Sequence, residues 1–252
     1  MLTYIKYADL EFEIDLEAPL DISLPVGRAT GPNAFYLDEA RYSTVEAGGF
    51  VGDVGRGGSC NVENISFSPH GNGTHTECIG HIDKTHVLVN NLLKKHFFLT
   101  RLLTVSTVET ETGKVITAPD IESAWPEAMA PEEALVIRTL PNTAAKKNNQ
   151  YSGQNPAYIS KDAMAYINSR GIRHLLTDLP SVDKEDDAQL TAHHIFFNHD
   201  NTPTQPKTIT EMVYADDSVT DGLYWLDLQV AGFESDASPS KPILYKVRLT
   251  YV

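Results

Sequence analysis

The stretch from Pro69 to His81 constrains the fold of this chain more than any other feature. It carries imidazoles at positions 70, 75 and 81 and the carboxylate of Glu77, interleaved with three glycines. Histidine and carboxylate are the ligands that a borderline divalent cation takes, and glycine lets the backbone bend tightly around it. His75 and Glu77 are two residues apart, so an extended chain points both to the same face. Four ligands rarely come from one loop, so the fold must bring further partners to this stretch.

Length and charge exclude several functional classes. A chain of 252 residues can bury a sizeable core, and we expect a single domain over residues 1–252. The net charge of −14 argues against a nucleic-acid surface, which needs a basic patch. No segment approaches the roughly 18 apolar residues of a membrane helix, and the N-terminus lacks the pattern of a signal peptide. These features predict a cytoplasmic protein with no nucleic-acid or membrane partner.

The two cysteines do not form a disulfide framework. Cys60 and Cys78 are too few for one and are typical of reduced thiols in a cytosolic protein. Cys78 lies within the histidine cluster, so a metal or redox role stays open. The histidines and Glu77 are nevertheless the better-placed ligands.

The hydrophobic pattern predicts more strands than helices. Helices are expected over 87–98 and from an N-cap at Ser160 to a stop at Gly171, with Ile159 and Met164 as a hydrophobic staple. A polar surface loop is expected over 142–155. At least one strand–helix–strand unit is present, which favours an α/β class with a mixed sheet. The expected strands are 21–25, 62–68, 101–108, 133–139, 172–180, 222–230 and 242–252.

Three later segments are candidates for the second half of the site. Asp178 to Asp183 follows a strand, a usual location for functional groups in α/β proteins. Glu211 interrupts an apolar strand-like run, and a buried carboxylate there needs a metal or an arginine as partner. His193 and His194 are adjacent, so one is a ligand, or they form a helix with one core and one solvent-facing histidine.

These motifs together resemble the putative cyclase family, the superfamily of bacterial kynurenine formamidase and isatin hydrolase. The family signature is His-x-Gly-Thr-His-x-Asp-x-Pro-x-His, followed by an Ala-His and later an Ile-x-Glu, with an Asp-x-x-Ser-x-Asp stretch. The matching positions here are Gly73-Thr74-His75, Glu77 in place of the aspartate, His81, Asp178 to Asp183, Ala192-His193 and Ile209-Thr210-Glu211.

The resemblance implies an amide-hydrolysing enzyme that uses one or two divalent ions, zinc or manganese. It implies an α/β fold of the mixed-sheet swivelling β/β/α type, and a homodimer or homotetramer in which the oligomer often completes the active site. By resemblance, His75, Glu77, His193 and Glu211 would hold metal, and His81 would be the acid/base. A bound cation lowers the pKa of its water towards about 7, and imidazole titrates near the same range.

The sequence departs from the family pattern in two places. The family's first histidine corresponds to Gly71, and His70 lies one residue further back. In an extended strand a spacing of five from His75 puts His70 on the opposite face, so only a bulge at 71–73 could make it a ligand. Glu77 in place of aspartate lengthens the arm by a methylene, so both a one-metal and a two-metal site stay open.

Two functions from different classes follow. The first is a metal-dependent amidohydrolase acting on a small formyl amide or cyclic amide. The second is a non-catalytic protein that binds a small molecule and kept the fold after losing a metal ligand, as Gly71 suggests. A third interpretation, in which the histidines only line a polar turn, accounts for fewer of these features.

Overall fold

Strands account for most of the regular structure in the computed structural model, which describes residues 1–28, 30–125, 131–198 and 206–250. In chain order they are β1 (Leu2–Tyr7), β2 (Leu10–Asp15), β3 (Leu20–Asp21), β4 (Arg41–Thr44), β5 (Glu46–Ala47), β6 (Phe50–Val51), β7 (Glu63–Ser66), β8 (His75–Cys78), β9 (Phe97–Ser106), β10 (Val108–Thr110), β11 (Gly113–Ile116), β12 (Ala134–Leu140), β13 (Tyr158–Ile159), β14 (His174–Thr177), β15 (Thr208–Glu211), β16 (Gly222–Asp227), β17 (Ala237–Pro239) and β18 (Ile243–Thr250).

The helices of the described residues are short. The α-helices are α1 (Val89–Leu92), α2 (Ala118–Ala124), α3 (Lys161–Ser169) and α4 (Thr191–Phe197). Short 3₁₀ helices cover Val54–Arg56, Pro69–Gly71, Ile79–His81 and Ala144–Asn148. Across the same residues, no helix has both the length and the apolar character that crossing a membrane requires.

Eleven strands of the described chain form one mixed sheet. Its order is β1-β2-β18-β16-β9-β12-β14-β15-β8-β17, with β3 paired to β18. The strands β9, β12, β14 and β15 are parallel, and β8 and β17 continue the sheet in antiparallel fashion. The mixed α/β class expected from the sequence is therefore confirmed.

Apolar clusters cover both faces of the sheet. On one face, α2, α3 and α4 pack against the parallel strands through residues such as Ile121, Met164 and Phe196. On the other, Phe98, Leu102 and their neighbours form a second cluster. Complete burial of a side chain of this size contributes about 1.5–3 kcal/mol. The packing fixes the parallel strands and α4, which together carry part of the site.

The structure confirms the helix expected after Ser160. The Ser160 hydroxyl accepts a hydrogen bond from the main-chain N–H of Ala163, as an N-cap should. Ile159 and Met164, the expected staple, are both buried in the same cluster. Gly171 follows the last turn with φ of 80°, the left-handed conformation that ends many helices.

Three expected elements differ from the structure. The helix expected over 87–98 is wrong, because α1 has only four residues and β9 begins at Phe97. Pairing of β9 with strands on both sides outweighs the local helical spacing. The strand expected over 21–25 is reduced to β3. The strand expected over 62–68 exists as the shorter β7, which leads into the turn at Pro69, but all four of its residues are exposed.

The remaining expectations lie close to the structure. The strands expected over 101–108, 133–139, 172–180, 222–230 and 242–252 correspond to β9, β12, β14, β16 and β18, and the last two residues of the final range lie outside the described residues. The loop expected over 142–155 contains a 3₁₀ helix, and Lys146 is only partly exposed there. Its ammonium group donates to Asp178 at 2.7 Å.

Candidate functional site

Antiparallel pairing of β8 with β15 places His75 opposite Glu211. Nε2 of His75 lies 3.3 Å from Oε2 of Glu211, and Glu77 projects from the same face of β8 two residues later. All three side chains are buried. Among the described residues, the ion-pair partners of Glu211 are histidines, and no arginine or lysine compensates its charge. The structure therefore does not support an arginine as the partner of Glu211.

Helix α4 brings His193 to the same point. Its Nε2 lies 2.8 Å from Oε1 of Glu77 and 4.0 Å from Oε1 of Glu211. Its Nδ1 lies 2.5 Å from Oδ2 of Asp183, which also accepts from the main-chain N–H of His193. Asp183 therefore orients the ring so that Nε2 faces the two glutamates. His193 is the buried member of the histidine pair, and His194 is partly exposed.

His70 reaches the site by a route that strand periodicity does not predict. It lies in the 3₁₀ turn Pro69–Gly71, before β8 begins, and its Nδ1 is 3.2 Å from Oε2 of Glu77. Gly73, with φ of 77°, redirects the chain between the turn and His75. The expectation that His70 needs a bulge in an extended strand is wrong, because β8 begins only at His75 and His70 lies in the 3₁₀ turn before it.

Gly71 occupies a position where a side chain does not fit. A Cβ atom there would lie 2.7 Å from Cδ1 and 3.0 Å from Cβ of Leu37. The family pattern has its first histidine at position 71, but here Leu37 occupies the space that a side chain at this position would need. The imidazole of His70 stands beside Glu77 instead.

A second 3₁₀ turn, Ile79–His81, folds His81 back over the same face. Its Nε2 lies 3.9 Å from Oε2 of Glu77, and its ring centroid lies 4.3 Å from that of His70 and 5.4 Å from that of His193. The side chains of His70 and His81 are 22% and 28% exposed. The site therefore opens to solvent on the side of these two histidines.

Asp236 completes the cluster and was missed from the sequence. Its Oδ2 lies 2.8 Å from Nε2 of His70 and 3.3 Å from Nδ1 of His81. It precedes β17, which pairs with β8. No local spacing signals a residue that is more than 150 positions away in sequence. A strand pairing between β8 and β17 is the only cue that could have found it.

The shifted pKa values reflect carboxylates and imidazoles in close contact. Burial opposes the charged form of His70, but the hydrogen bond to Asp236 and the nearby negative charge of Glu77 outweigh it and raise its pKa to about 10. Burial likewise opposes the charged form of His193, yet the Glu77 charge and the Asp183 hydrogen bond raise its pKa well above the usual range. Hydrogen bonds from His70 and His81 lower the pKa of Asp236. The pocket thus favours positive charge.

A divalent cation fits the donor atoms at the centre of the site. Within the described part of the chain, Nε2 of His75, Nε2 of His193 and both carboxylate oxygens of Glu77 are buried without a hydrogen-bond partner. Two groups of three residues (triplets) each bring their ligand atoms within 4.8 Å of one another. The first group is His75, Glu77 and Glu211, and the second is His70, Glu77 and His81. Nitrogen and carboxylate donors suit zinc and manganese. The second triplet admits His81 as a ligand as well as an acid/base.

Cys78 stands outside both triplets. Its thiol donates to the carbonyl oxygen of Val87 at 3.3 Å, and burial raises its pKa to about 11. A thiol that stays protonated is a poor metal ligand and a poor nucleophile. The geometry therefore favours a packing role for Cys78.

Comparisons with known proteins agree with this arrangement. The family model described as Putative cyclase matches residues 14–184. The chain is 31% identical over 189 residues to the kynurenine formamidase of Bacillus anthracis, covering 74% of this chain and 81% of that protein. Isatin hydrolase A from Labrenzia aggregata superposes with a TM-score of 0.66 at 16% identity, covering 90% of this chain and 93% of the other. A predicted metal-dependent hydrolase from Bacillus stearothermophilus gives 0.61 at 16%, covering 90% and 98%.

The family model spans more than half of the chain, including the whole 69–81 cluster and the stretch that carries Asp183. The match to the family model and the 31% identity to the Bacillus anthracis enzyme show that the protein belongs to the putative cyclase family.

Proposed function

We propose that this protein is a metal-dependent hydrolase that cleaves the C–N bond of a small formyl amide or cyclic amide. Membership of the cyclase family supports a shared chemistry, and relatives are named kynurenine formamidase and isatin hydrolase. A formyl amide and a cyclic amide share the polarised carbonyl carbon that water must attack.

The proposed ligands are His75, Glu77, His193 and Glu211, with His70 as a fifth, around one or two zinc or manganese ions. The observation that carries the proposal is that the buried ligand atoms of His75, Glu77 and His193 have no hydrogen-bond partner among the described residues, although Nε2 of His193 lies 2.8 Å from Oε1 of Glu77. When bound, the ion polarises a carbonyl and lowers the pKa of water towards about 7. Burial of the carboxylates makes a compensating cation strongly favourable.

His81 is the proposed acid/base. Amide hydrolysis adds water across the C–N bond: the carbonyl carbon gains oxygen, and the departing nitrogen gains a proton. Nε2 of His81 lies on the open side of the cluster, 3.9 Å from Glu77, so it can take a proton from the attacking water and give it to that nitrogen. Asp183 and the main chain keep His193 oriented during the cycle.

Metal analysis combined with activity tests the proposal. We expect purified protein under metal-replete conditions to hold about one or two equivalents of zinc or manganese, and to hydrolyse N-formyl aryl amides or cyclic imides. Chelation should remove both the metal and the turnover, and adding metal back should restore them. Less than about a tenth of an equivalent of bound metal would contradict it.

The competing function is a binding protein without turnover. It was suggested by Gly71 in place of a histidine, yet His70 stands beside Glu77 at 3.2 Å, which favours the enzyme. The same screen separates the two functions: thermal stabilisation by an amide without product formation would support the binding protein, and turnover above background would eliminate it.

We also propose a homodimer or homotetramer. The arm formed by β4 to β7 exposes Phe50, Val54 and Ile65 and contributes no residue to the buried apolar clusters of the described chain. A second copy of the chain would cover this apolar surface. Sedimentation equilibrium should give a mass of two or four times 27.8 kDa. A monomer at micromolar concentration would contradict this part of the proposal.

A further inference from the structure

One carboxylate oxygen serves two histidines of the site. Oδ2 of Asp236 faces Nε2 of His70 at 2.8 Å and Nδ1 of His81 at 3.3 Å. We propose that Asp236 is a positioning residue that decides which ring nitrogen each of these histidines presents to the metal and to the substrate. The inference rests on the proposed function and assigns a role to a residue outside the family motif.

For His70, the contact with Asp236 leaves one nitrogen for the metal. A carboxylate only accepts hydrogen bonds, so Nε2 of His70 carries the proton that Asp236 accepts. The lone pair of the neutral ring then lies on Nδ1, which is the nitrogen 3.2 Å from Oε2 of Glu77. A ligating histidine is held in this way when its other nitrogen donates to a carboxylate.

For His81, the same oxygen selects the opposite nitrogen. Nδ1 of His81 faces Asp236, so Nδ1 carries the donated proton and Nε2 is left facing the site, 3.9 Å from Glu77. Nε2 is therefore the atom that accepts and returns the proton in hydrolysis. Without Asp236 the ring can take the other tautomer or rotate away from the site, and Nε2 is no longer held in place.

Asp236 is itself fixed from several directions. Its Oδ1 accepts from the hydroxyl of Ser235 at 3.1 Å, and its main-chain oxygen accepts from the N–H of Cys78 at 3.0 Å. The residue after it, Ala237, is the pairing partner of Glu77. The carboxylate is thus anchored to the strand that carries the central ligand. The contact between Asp183 and His193 shows the same orienting pattern within the same site.

The sharing of one oxygen has a chemical consequence. Replacing Asp236 should weaken metal binding through His70 and slow proton transfer through His81, two effects that a merely structural residue would not link. Asp236→Asn keeps the shape but removes the negative charge, so its amide oxygen is a weaker acceptor for both rings, and its amide nitrogen, where it faces a ring, donates instead of accepting. Glu234→Gln is the matched control, because it removes one neighbouring negative charge from an exposed side chain.

The first experiment measures metal affinity and needs no substrate. Zinc affinity is determined by chelator competition, and the visible absorption of the cobalt-loaded protein reports the ligand geometry. We expect Asp236→Asn to lower zinc affinity by about 10- to 100-fold and to shift the cobalt bands, the scale known for the hydrogen-bond partners of metal ligands. Glu234→Gln should match the wild type. Wild-type affinity and spectrum in Asp236→Asn would overturn the inference.

Combined variants then separate the effect of Asp236 on metal binding through His70 from its effect on proton transfer through His81. In a His81→Ala background, Asp236→Asn should still lower metal affinity but should reduce turnover little further. In a His70→Ala background, it should still reduce turnover but should leave the already weakened affinity unchanged. Equal, additive losses in every background would mean a general structural role and would overturn the inference. A wild-type protein that binds no metal would overturn the proposed function and this inference with it.

Discussion

His75 and Glu211 are register partners on adjacent antiparallel strands, with Nε2 and Oε2 3.3 Å apart. Nδ1 of His75 is 3.2 Å from the carbonyl oxygen of Gly73, to which it can donate, so Nε2 faces the carboxylate. The two halves of the chain that carry the motif are therefore joined by backbone pairing. Side-chain attraction alone would have to overcome a larger loss of conformational entropy to hold them together.

Shortening the central carboxylate tests whether Glu77 is adapted to the displaced His70. We predict that Glu77→Asp, although aspartate is the residue of the family pattern, lowers metal affinity by at least about tenfold. The shorter arm withdraws its oxygens from His193 and His70, which now lie at 2.8 and 3.2 Å. Chelator competition checks this, with Glu234→Asp as the control. Equal or tighter binding by Glu77→Asp would contradict the prediction.

Removing the proposed acid/base should separate chemistry from metal binding. We predict that His81→Ala keeps its metal and lowers kcat by about 10²- to 10⁴-fold, the usual contribution of general acid–base catalysis. Metal content and steady-state kinetics are measured on the same preparation. His86→Asn, which changes an exposed histidine, is the control. Loss of metal from His81→Ala would show that His81 is a ligand, as the second donor triplet allows.

The turn before His75 should tolerate no side chain at Gly73. Gly73 has φ of 77°, and a Cβ atom there would lie 2.8 Å from the carbonyl oxygen of Pro25. Gly171 has φ of 80° but nothing within 4 Å of a built Cβ. Gly171→Ala therefore carries only the conformational cost of about 1–2 kcal/mol, and Gly73→Ala should cost about 1–3 kcal/mol more. Denaturant unfolding of both variants checks this, and equal losses would contradict it.

A buried neutral histidine should make stability depend on pH. Burial, together with the neighbouring Arg173 and Lys95 charges, lowers the pKa of His174 to about 3. In the unfolded chain the ring binds a proton below about pH 6.5, but in the folded protein it does so only near pH 3. The contribution of the neutral His174 ring to the free energy of unfolding is therefore complete above about pH 6.5. It is lost as pH falls towards 3, by up to about 1.4 kcal/mol per pH unit.

Replacing His174 should flatten that dependence. We predict that the free energy of unfolding of His174→Asn falls less between pH 7 and pH 5 than that of the wild type, whatever the absolute stability of the variant. Urea titrations at several pH values measure it. His86→Asn should keep the full dependence, since that side chain is exposed. Identical pH slopes for wild type and His174→Asn would show that the buried ring does not control acid sensitivity.

The sequence predicts the centre of the site better than its edge. The two-residue spacing of His75 and Glu77 requires only a strand, and β8 supplies it. Glu211 stood out as a carboxylate in an apolar run, and it is buried where that reasoning expects. The placement of His70 failed because the period of two applies to extended backbone, and residues 69–71 form a 3₁₀ turn.

What the sequence could not predict depends on contacts between distant segments. Asp236 acquires its place from the pairing of β17 with β8, and no local pattern around it signals a functional carboxylate. Asp183 was part of a recognised stretch, but its hydrogen bond to His193 depends on how α4 packs. The failed helix over 87–98 has the same cause, because β9 forms between two strand partners that lie far along the chain.

The interleaved strand order has a consequence for how the molecule matures. The second strand, β2, pairs with β18, the last strand of the described residues, and His70 meets Asp236 across 166 positions. A ribosome-bound chain cannot close this sheet until β18 has emerged, nor bring Asp236 to the histidines until that residue has emerged. Competence to retain metal fully should therefore arise only once residue 236 has emerged, and fragments ending before it should hold metal weakly.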